Sequence, residues 1–310
     1  MIMHRSDQTL AIRALRSAAP YIRMYKGRTF VVKTGGGVFA EAHTARALIE
    51  QIAILHYFGV RVVLVHGGGP QLTEVSAALG VPARVVAGRR ITDERAIEVT
   101  AMVLNGLINT RVLGMCRDLT IDAVGISGVD AGLIRARRRA PLEVEGSAQP
   151  VDFGLVGDIE AVDTMVLKKL LDNGLMPVVS PLSADGAGTL LNINADTVAA
   201  ALGAALAAEK LILCTGAPGI LGDLRDPGSL ISYTDLRGLE RLREQGKIAD
   251  GMLPKVKAIE DAIRGGVQRV HVVSYHSPEG ILGEVFTNEG TGTLIVADVD
   301  ALSPAEQSGS

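Results

Sequence analysis

Phe30-Val31-Val32-Lys33-Thr34-Gly35-Gly36-Gly37 is the stretch on which the fold turns. A short run of aromatic and β-branched residues ends in a lysine and breaks into three glycines. Such a run suits a strand buried on both faces of a parallel sheet. Glycine has no Cβ, so backbone N–H groups in the break can come close to an anion. The pattern recurs where Val62-Val63-Leu64-Val65-His66 runs into Gly67-Gly68-Gly69-Pro70. A helix opening behind either cluster would add unpaired N–H groups and a positive dipole end. One cluster alone reads as a tight turn. Two in the same strand–glycine setting point to a phosphate or carboxylate site at the carboxyl edge of a parallel sheet.

Working outward, short Val-, Ile- and Leu-rich runs stand at 30–33, 61–66, 123–126, 177–182, 211–215, 269–274 and 293–297. Between them lie segments of helical period, including Thr44–Tyr57, Asp93–Leu107, Thr164–Asn173, Ala195–Ala207 and Val256–Arg264. This alternation predicts a three-layer α/β/α sandwich around an open, mostly parallel sheet, with strand order left open. Ahead of the first strand, Thr9–Lys26 sets Leu10, Ile12, Leu15, Tyr21 and Ile22 among Arg and Lys. It predicts an extra amphipathic helix, broken at Pro20, whose apolar face packs on its own domain or on a neighbouring subunit. The Gly- and Asp-containing stretch Ser183–Gly188 is the expected lobe boundary. The chain thus divides into an N-terminal helix over 1–28, an N-lobe over 29–188, a C-lobe over 189–300 and a frayed polar tail over 301–310.

Composition narrows the function classes. The 310 residues are 47% hydrophobic, enough for a sizeable core. A net charge of −3 gives no general attraction to nucleic acid or an anionic membrane. No Trp and 3% aromatics argue against base-stacking platforms. Cys116 and Cys214 stand far apart, and Cys214 follows Leu211-Ile212-Leu213, which fits reduced core thiols. The start Met1-Ile2-Met3-His4-Arg5-Ser6-Asp7 carries no apolar leader, and no apolar stretch reaches the roughly 20 residues of a membrane span. The expectation is a cytoplasmic enzyme with no nucleic-acid or membrane partner.

Two nucleotide motifs are tested first. The Walker loop is absent. Gly35, Gly37 and Ala40 satisfy G-x-G-x-x-A, but a dinucleotide fold then expects an acidic residue ending the second strand. Here that strand ends in His66 and another glycine cluster. Lys33, ending a buried strand, needs water or a charge partner: it either reaches solvent or meets a phosphoryl group. Asn192-Ile193-Asn194-Ala195-Asp196 opens a small-residue helix; its polar side chains serve as caps, or present an amide to substrate and a carboxylate to lysines. Asp250-Gly251-Met252-Leu253-Pro254-Lys255-Val256 brings a second lysine to a helix start, where a basic residue opposes the dipole unless an anion is near.

These residues resemble the N-acetylglutamate kinases of the amino acid kinase superfamily, from about residue 20 to 297. The resemblance rests on Lys33-x-Gly35-Gly36, His66–Pro70, Gly88-Arg89-Arg90-Ile91-Thr92-Asp93, Gly154-Leu155-Val156-Gly157-Asp158, Asn192–Asp196 and Gly251–Val256, in order. It implies ATP-dependent phosphorylation of the γ-carboxylate of N-acetyl-L-glutamate, a step of arginine biosynthesis. Carried over by position, Lys33 and Lys255 would neutralise the transferring phosphoryl group and Asp196 would hold them. Gly68, Gly69, Arg90 and Asn192 would bind the acyl amino acid, with Arg90 on its α-carboxylate. Gly35, Gly36, Thr215, Gly216, Gly219, Gly251 and Met252 would bind ATP, with Mg²⁺ held mainly by the phosphates and no protein metal site. The N-lobe would carry substrate binding and dimerisation, and the C-lobe the nucleotide, near 215–221 and 249–255.

The helix before the first strand resembles that of the hexameric, arginine-inhibited members, and Glu289-Gly290-Thr291-Gly292-Thr293 matches a segment tied to their arginine site. A homodimer or hexamer with L-arginine as allosteric ligand is therefore expected. The pattern also departs from the family. Gly216 stands where an aspartate is usual, Val129 where a lysine is frequent, and Thr34 and Gly37 where tyrosine and asparagine are commoner. These changes bear on nucleotide affinity more than on catalysis. The Thr215-Gly216 pair is similar to kinase-like domains attached to acetylglutamate synthases, whose acetyltransferase domain has no room here. Two other readings stay open: a kinase for N-succinylglutamate or a carrier-linked aminoadipate, and a non-catalytic arginine-sensing subunit.

Overall fold

The computed structural model describes residues 5–301 except 87, 88, 145, 146, 148, 224, 227, 249, 288 and 289. Helix α1 (Arg5–Tyr25) leads into β1 (Thr29–Thr34), a 3₁₀ turn (Gly36–Ala40) and α2 (Ala42–Tyr57). Strand β2 (Arg61–His66) leads into α3 (Gly69–Ala78) and the antiparallel pair β3 (Arg84–Val86) and β4 (Arg89–Ile91). Helix α4 (Glu94–Ala101) continues through a π turn (Met102–Ile108) into α5 (Asn109–Asp118). Next come β5 (Ala123–Ser127), β6 (Ile134–Arg138), β7 (Gly157–Val162), α6 (Met165–Asp172), β8 (Met176–Ser180), β9 (Leu182–Ala184) and β10 (Leu190–Asn192). The rest is α7 (Ala195–Ala205), β11 (Lys210–Thr215), β12 (Tyr233–Asp235), α8 (Leu236–Glu244), α9 (Leu253–Arg264), β13 (Arg269–Ser274), α10 (Gly280–Phe286) and β14 (Thr293–Val296).

The main sheet runs β12-β14-β13-β11-β1-β2-β8-β5, so the two glycine-ended strands lie side by side at its centre. From β13 to β5 all pairings are parallel; β14 runs antiparallel to β13. The mostly parallel α/β/α sandwich read from the alternation is the fold observed. Period-two alternation then decides which face each side chain meets. Phe30 and Val32 enter the apolar layer built with α2 and α5, whereas Val31 enters the layer built with α7 and α9. Lys33 shares Val31's parity, so it is aimed at the α7–α9 face. That single parity places the lysine at the site.

Two sequence expectations are corrected, the strand over 177–182 and the helix break at Pro20. The strand expected over 177–182 splits at Pro181, which has no N–H for the ladder; Leu182 starts a separate four-stranded sheet, β10-β9-β6-β7. Ser183–Gly188 spans the end of β9 and the turn of its hairpin with β10, closed by Asp185 N donating to Thr189 O (3.0 Å). Helix α1 does not break at Pro20; it runs on to Tyr25. Tyr21 packs edge-on against Phe286 and Tyr25 against Phe30, which pins its last turns to this domain. Towards its start Ile12 and Leu15 stay more than half exposed. Glu94–Asp118 is one 25-residue helix that passes for a membrane span by length and composition alone. Its apolar side (Val103, Leu104, Ile108, Val112, Cys116) is buried in the core.

Cys116 and Cys214 are free and buried, and burial pushes both thiols up to about 12. Beyond Ala301 the expected tail lies outside the described residues, as do Gly88, Ala249 and Glu289.

Candidate active site

The carboxyl ends of β1 and β2 and the first turns of α7 and α9 meet at one carboxylate. Asn194 caps α7, accepting from the backbone N–H of Asp196 (2.7 Å) and of Thr197 (3.4 Å). An Asn at this position satisfies amides that the helix leaves unpaired. The cap fixes Asp196 in the first turn, and its two oxygens are then divided between two lysines. Lys33 Nζ lies 2.6 Å from Oδ1, and Lys255 Nζ donates to Oδ2 at 3.1 Å. Lys33 and Asp196 are 5% and 3% exposed, so this is a desolvated pair with a third, more open partner.

Burial lowers the pKa of Lys33 below its ordinary value and Lys255 adds to that, while Asp196 pulls it back up. For Asp196, burial alone would raise the pKa; the attraction of Lys33 and Lys255 wins and holds it below the usual carboxylate range. Two ammonium groups share one carboxylate, which leaves a positive excess in a place that excludes water. An uncompensated buried charge is costly, and a bound anion offsets that cost.

The glycine loops supply the rest of that cradle. Gly67 N donates to Thr34 O (2.8 Å), and Gln71 Nε2 donates to Gly36 O (2.9 Å), so the two loops are tied together. A Cβ at Gly36 would stand 2.8 Å from Gly68 Cα. At Gly68 it would stand 2.4 Å from Ile108 Cδ1 and 2.7 Å from Leu104 Cδ2, both on the π turn. Gly35 and Gly69 face open space. Beneath the loops His66 is buried and neutral, its pKa pushed down to about 4 by burial. Asn109 Nδ2 donates to Val178 O (3.0 Å) and lies 3.3 Å from His66 Nε2. Gln71 and Asn109 are missed by sequence reasoning: a lone amide on a helix carries no spacing signal.

Two further polar side chains are held by neighbouring segments. Arg90 stands on β4, opposite Val85. Its Nη2 donates to Thr73 Oγ1 (2.8 Å) and Gly69 O (3.4 Å), which draws the guanidinium to the second glycine loop. Thr92 receives a bond from Asn192 Nδ2 (3.4 Å), and its backbone pairs with the Phe153–Leu155 segment. Gly154 makes that pairing possible: its φ is +74°, and a Cβ there would lie 2.3 Å from Thr92 O. Arg90 is thus tied to the second glycine loop, and Asn192 to Thr92.

Thr215 ends β11 and its hydroxyl closes a turn with Ala217 (Oγ1 to O 2.9 Å). Gly216 follows it, while Gly219 is held to glycine by packing, since a Cβ would sit 2.6 Å from Leu230 Cδ1 and from Thr293 Oγ1. Gly251 faces open space and Met252 caps α9, two residues before the Pro254-Lys255 pair. Val129 is exposed on the loop after β5, where Asp130 accepts from Ser127 N and Oγ at 2.6 Å each. Among the described residues no group of three or more His, Cys, Asp or Glu side chains is set to cage a metal. Asp196, the carboxylate at the cluster, is already engaged by two ammonium groups, a donor set that fits a divalent cation arriving on phosphates.

Fold and site together define a phosphotransferase for an anionic acceptor: cations and amides converge on one point. A model of the amino acid kinase family matches residues 28–274, and the chain belongs to that family. It is 47% identical to an acetylglutamate kinase of Myxococcus xanthus, over 94% of this chain and 96% of the relative. Among solved structures it resembles N-acetylglutamate synthase of Neisseria gonorrhoeae complexed with coenzyme A and N-acetyl-glutamate (TM-score 0.80, 27% identity, 93% of this chain). The chain spans 64% of that synthase chain. The same synthase complexed with coenzyme A and L-arginine matches with a TM-score of 0.74 at 25% identity, over 93% of this chain and 65% of that one.

Proposed function

We propose that this chain is an N-acetyl-L-glutamate kinase that uses ATP with Mg²⁺. The observation that carries the reading is the pair Lys33 and Lys255 sharing Asp196 beside two interlocked glycine loops. A γ-carboxylate, with a reference pKa of about 4.3, is already ionised near neutral pH and needs no general base. One of its oxygens attacks the γ-phosphorus of ATP, the bond from that phosphorus to the β,γ-bridging oxygen breaks, and ADP leaves with the electron pair. The product is N-acetylglutamyl 5-phosphate, and no proton is transferred.

The obstacle is repulsion between two anions, which positioned charge and dipoles overcome. Lys33 and Lys255 neutralise the transferring group, and Asp196 keeps the ammonium groups in place. The amides of Gly35 and Gly36 face the phosphates, and those of Gly68 and Gly69 the acyl amino acid. Arg90 takes the α-carboxylate with its two-pronged guanidinium, and Asn192 donates an amide. Thr215, Gly216, Gly219, Gly251 and Met252 border the nucleotide. Mg²⁺, when bound, screens charge on the phosphates that carry it.

The test is ADP release coupled to NADH oxidation, with N-acetyl-L-glutamate, N-succinyl-L-glutamate and a carrier-linked aminoadipate as acceptors. Turnover is expected with the first. Turnover confined to another acceptor would reassign the substrate, and no nucleotide binding at all would move the chain to a non-catalytic role.

Regulation by L-arginine and assembly as a homodimer or hexamer belong to the same reading. What supports them is that α1 and the 290–292 segment meet at one buried cluster. Lys210 Nζ lies 2.9 Å from His271 Nε2 and 5.2 Å from the Tyr25 ring centroid. His271 Nδ1 lies 2.7 Å from Glu284 Oε1, and Glu284 Oε2 accepts from Thr291 N (2.7 Å) and Gly292 N (2.9 Å). Arginine is expected to inhibit. Removing residues 1–25 leaves dimers; a hexamer that survives the deletion contradicts the assembly role of α1.

A further inference from the structure

Three parallel neighbours, β13, β11 and β1, end at the same edge of the sheet, and each is followed by a residue of interest: Tyr275, Gly216 and, past the first two glycines, Gly37. Tyr275 is anchored by its backbone, whose N–H donates to Thr215 O (2.9 Å), and its half-buried ring lies beside that of His276 (centroids 4.5 Å apart). Its hydroxyl reaches across the edge to both glycines. A Cβ at Gly37 would stand 2.6 Å from the Tyr275 oxygen, and one at Gly216 would stand 3.1 Å from it. Neither glycine has a positive φ, so the backbone does not require glycine at either place. What requires it is room for the phenol. Among the described residues the hydroxyl has no hydrogen-bond partner. A polar group has been given a slot between two loops, and nothing among the described residues uses it.

We propose that the Tyr275 hydroxyl is a ligand of the nucleotide's phosphate chain, donating a hydrogen bond to a phosphate oxygen; this rests on the kinase reading above. Gly37 belongs to the turn that opens at Gly36, directly behind Gly35 and close to Lys33, and Gly216 stands one residue past β11 on the nucleotide side. The hydroxyl therefore sits at the seam between the anion cradle and the nucleotide loop. A neutral phenol suits that seam. It donates to an oxyanion without adding another positive charge to a cluster that already holds two ammonium groups.

The test compares wild type with Tyr275→Phe, which keeps the ring and removes only the oxygen. Binding of a non-hydrolysable MgATP analogue is measured by calorimetry, and both KM values and kcat by ADP release. The expected result is a roughly tenfold or greater loss of nucleotide affinity, the size of a hydrogen bond to a charged group. The KM for N-acetyl-L-glutamate and the melting temperature should stay at wild-type values. Unchanged nucleotide binding and KM in a wild type that binds and turns over would overturn this proposal alone; a wild type that binds no nucleotide would overturn the kinase reading with it.

A second arm uses Gly37→Ala in both backgrounds. It should weaken nucleotide binding when Tyr275 is present. With Phe at 275 it should be nearly silent, because the added Cβ then meets only the ring carbon at 3.5 Å, an ordinary contact. Equal losses in the two backgrounds would overturn the assignment.

Discussion

Lys33 and Lys210 occupy adjacent strands of one sheet, both buried, at opposite ends: Lys33 near the close of β1 and Lys210 at the opening of β11. Lys210 reaches Glu284 through His271. Burial and the neighbouring Lys210 push the pKa of His271 down to about 4, which keeps it neutral. Burial would raise Glu284, yet His271 and the amides of Thr291 and Gly292 outweigh it and bring it to about 2. Both oxygens of this carboxylate are satisfied from within the chain, Oε1 by His271 and Oε2 by the backbone N–H groups of Thr291 and Gly292. The Lys33 cluster has two cations to one anion and opens toward glycine loops. A buried charge cluster becomes a reaction site when it is left unbalanced on the side a substrate approaches.

The sharpest break in that comparison pits Asp196→Asn against Glu284→Gln. Losing the Asp196 charge strands two ammonium groups, one of them fully buried, so unfolding free energy should fall by about 3–5 kcal/mol and turnover should nearly vanish. Glu284→Gln should cost stability while leaving kcat near wild type. Denaturant melts and initial rates on both variants check this, and a catalytic loss in Glu284→Gln would erase the distinction.

Next in size, Lys33→Ala is expected to slow kcat by about 10²–10³-fold with the far-UV circular dichroism unchanged. A near-normal rate would remove Lys33 from the catalytic set. Arg90→Lys keeps the charge but loses the fork, so the KM for N-acetyl-L-glutamate should rise roughly tenfold with little change in the KM for MgATP. Equal rises in both would place Arg90 elsewhere in the mechanism.

The most gradual effect is spread over pH. His66 and His271 have folded pKa values of about 4 against an ordinary 6.5. Between those values the unfolded chain binds more protons than the folded one, so stability rises with pH across the window and is lost on acidification. Each histidine contributes up to about 1.4 kcal/mol per pH unit there, and nothing further above 6.5. Urea melts at pH 7, 6 and 5 should show the decline, and a flat profile would contradict the buried neutral histidines.

The layered fold was legible because parallel strands buried on both faces carry continuous apolar runs, and the lysine at residue 33 and glycines at 35–37 end one of them. Lys33, Asp196 and Lys255 were legible too, since each breaks a local rule: a lysine in a buried strand, a carboxylate on a small-residue helix, a lysine at a helix start. The split at Pro181 and the small second sheet were hidden, because residues 177–182 read as one apolar run. Pro20 signalled a break in α1 that Tyr21 and Tyr25, packed on Phe286 and Phe30, override. Gln71, Asn109 and Tyr275 left no trace in periodicity: what they do depends on contacts between segments far apart in sequence.

The most direct test is to run the reaction with hydroxylamine present, which traps an acyl phosphate as a stable hydroxamate. With MgATP and N-acetyl-L-glutamate, one hydroxamate should form for each ADP released, and both should disappear together in Lys33→Ala. ADP release without hydroxamate, or undiminished hydroxamate from Lys33→Ala, would contradict phosphoryl transfer to the carboxylate at this lysine-flanked site.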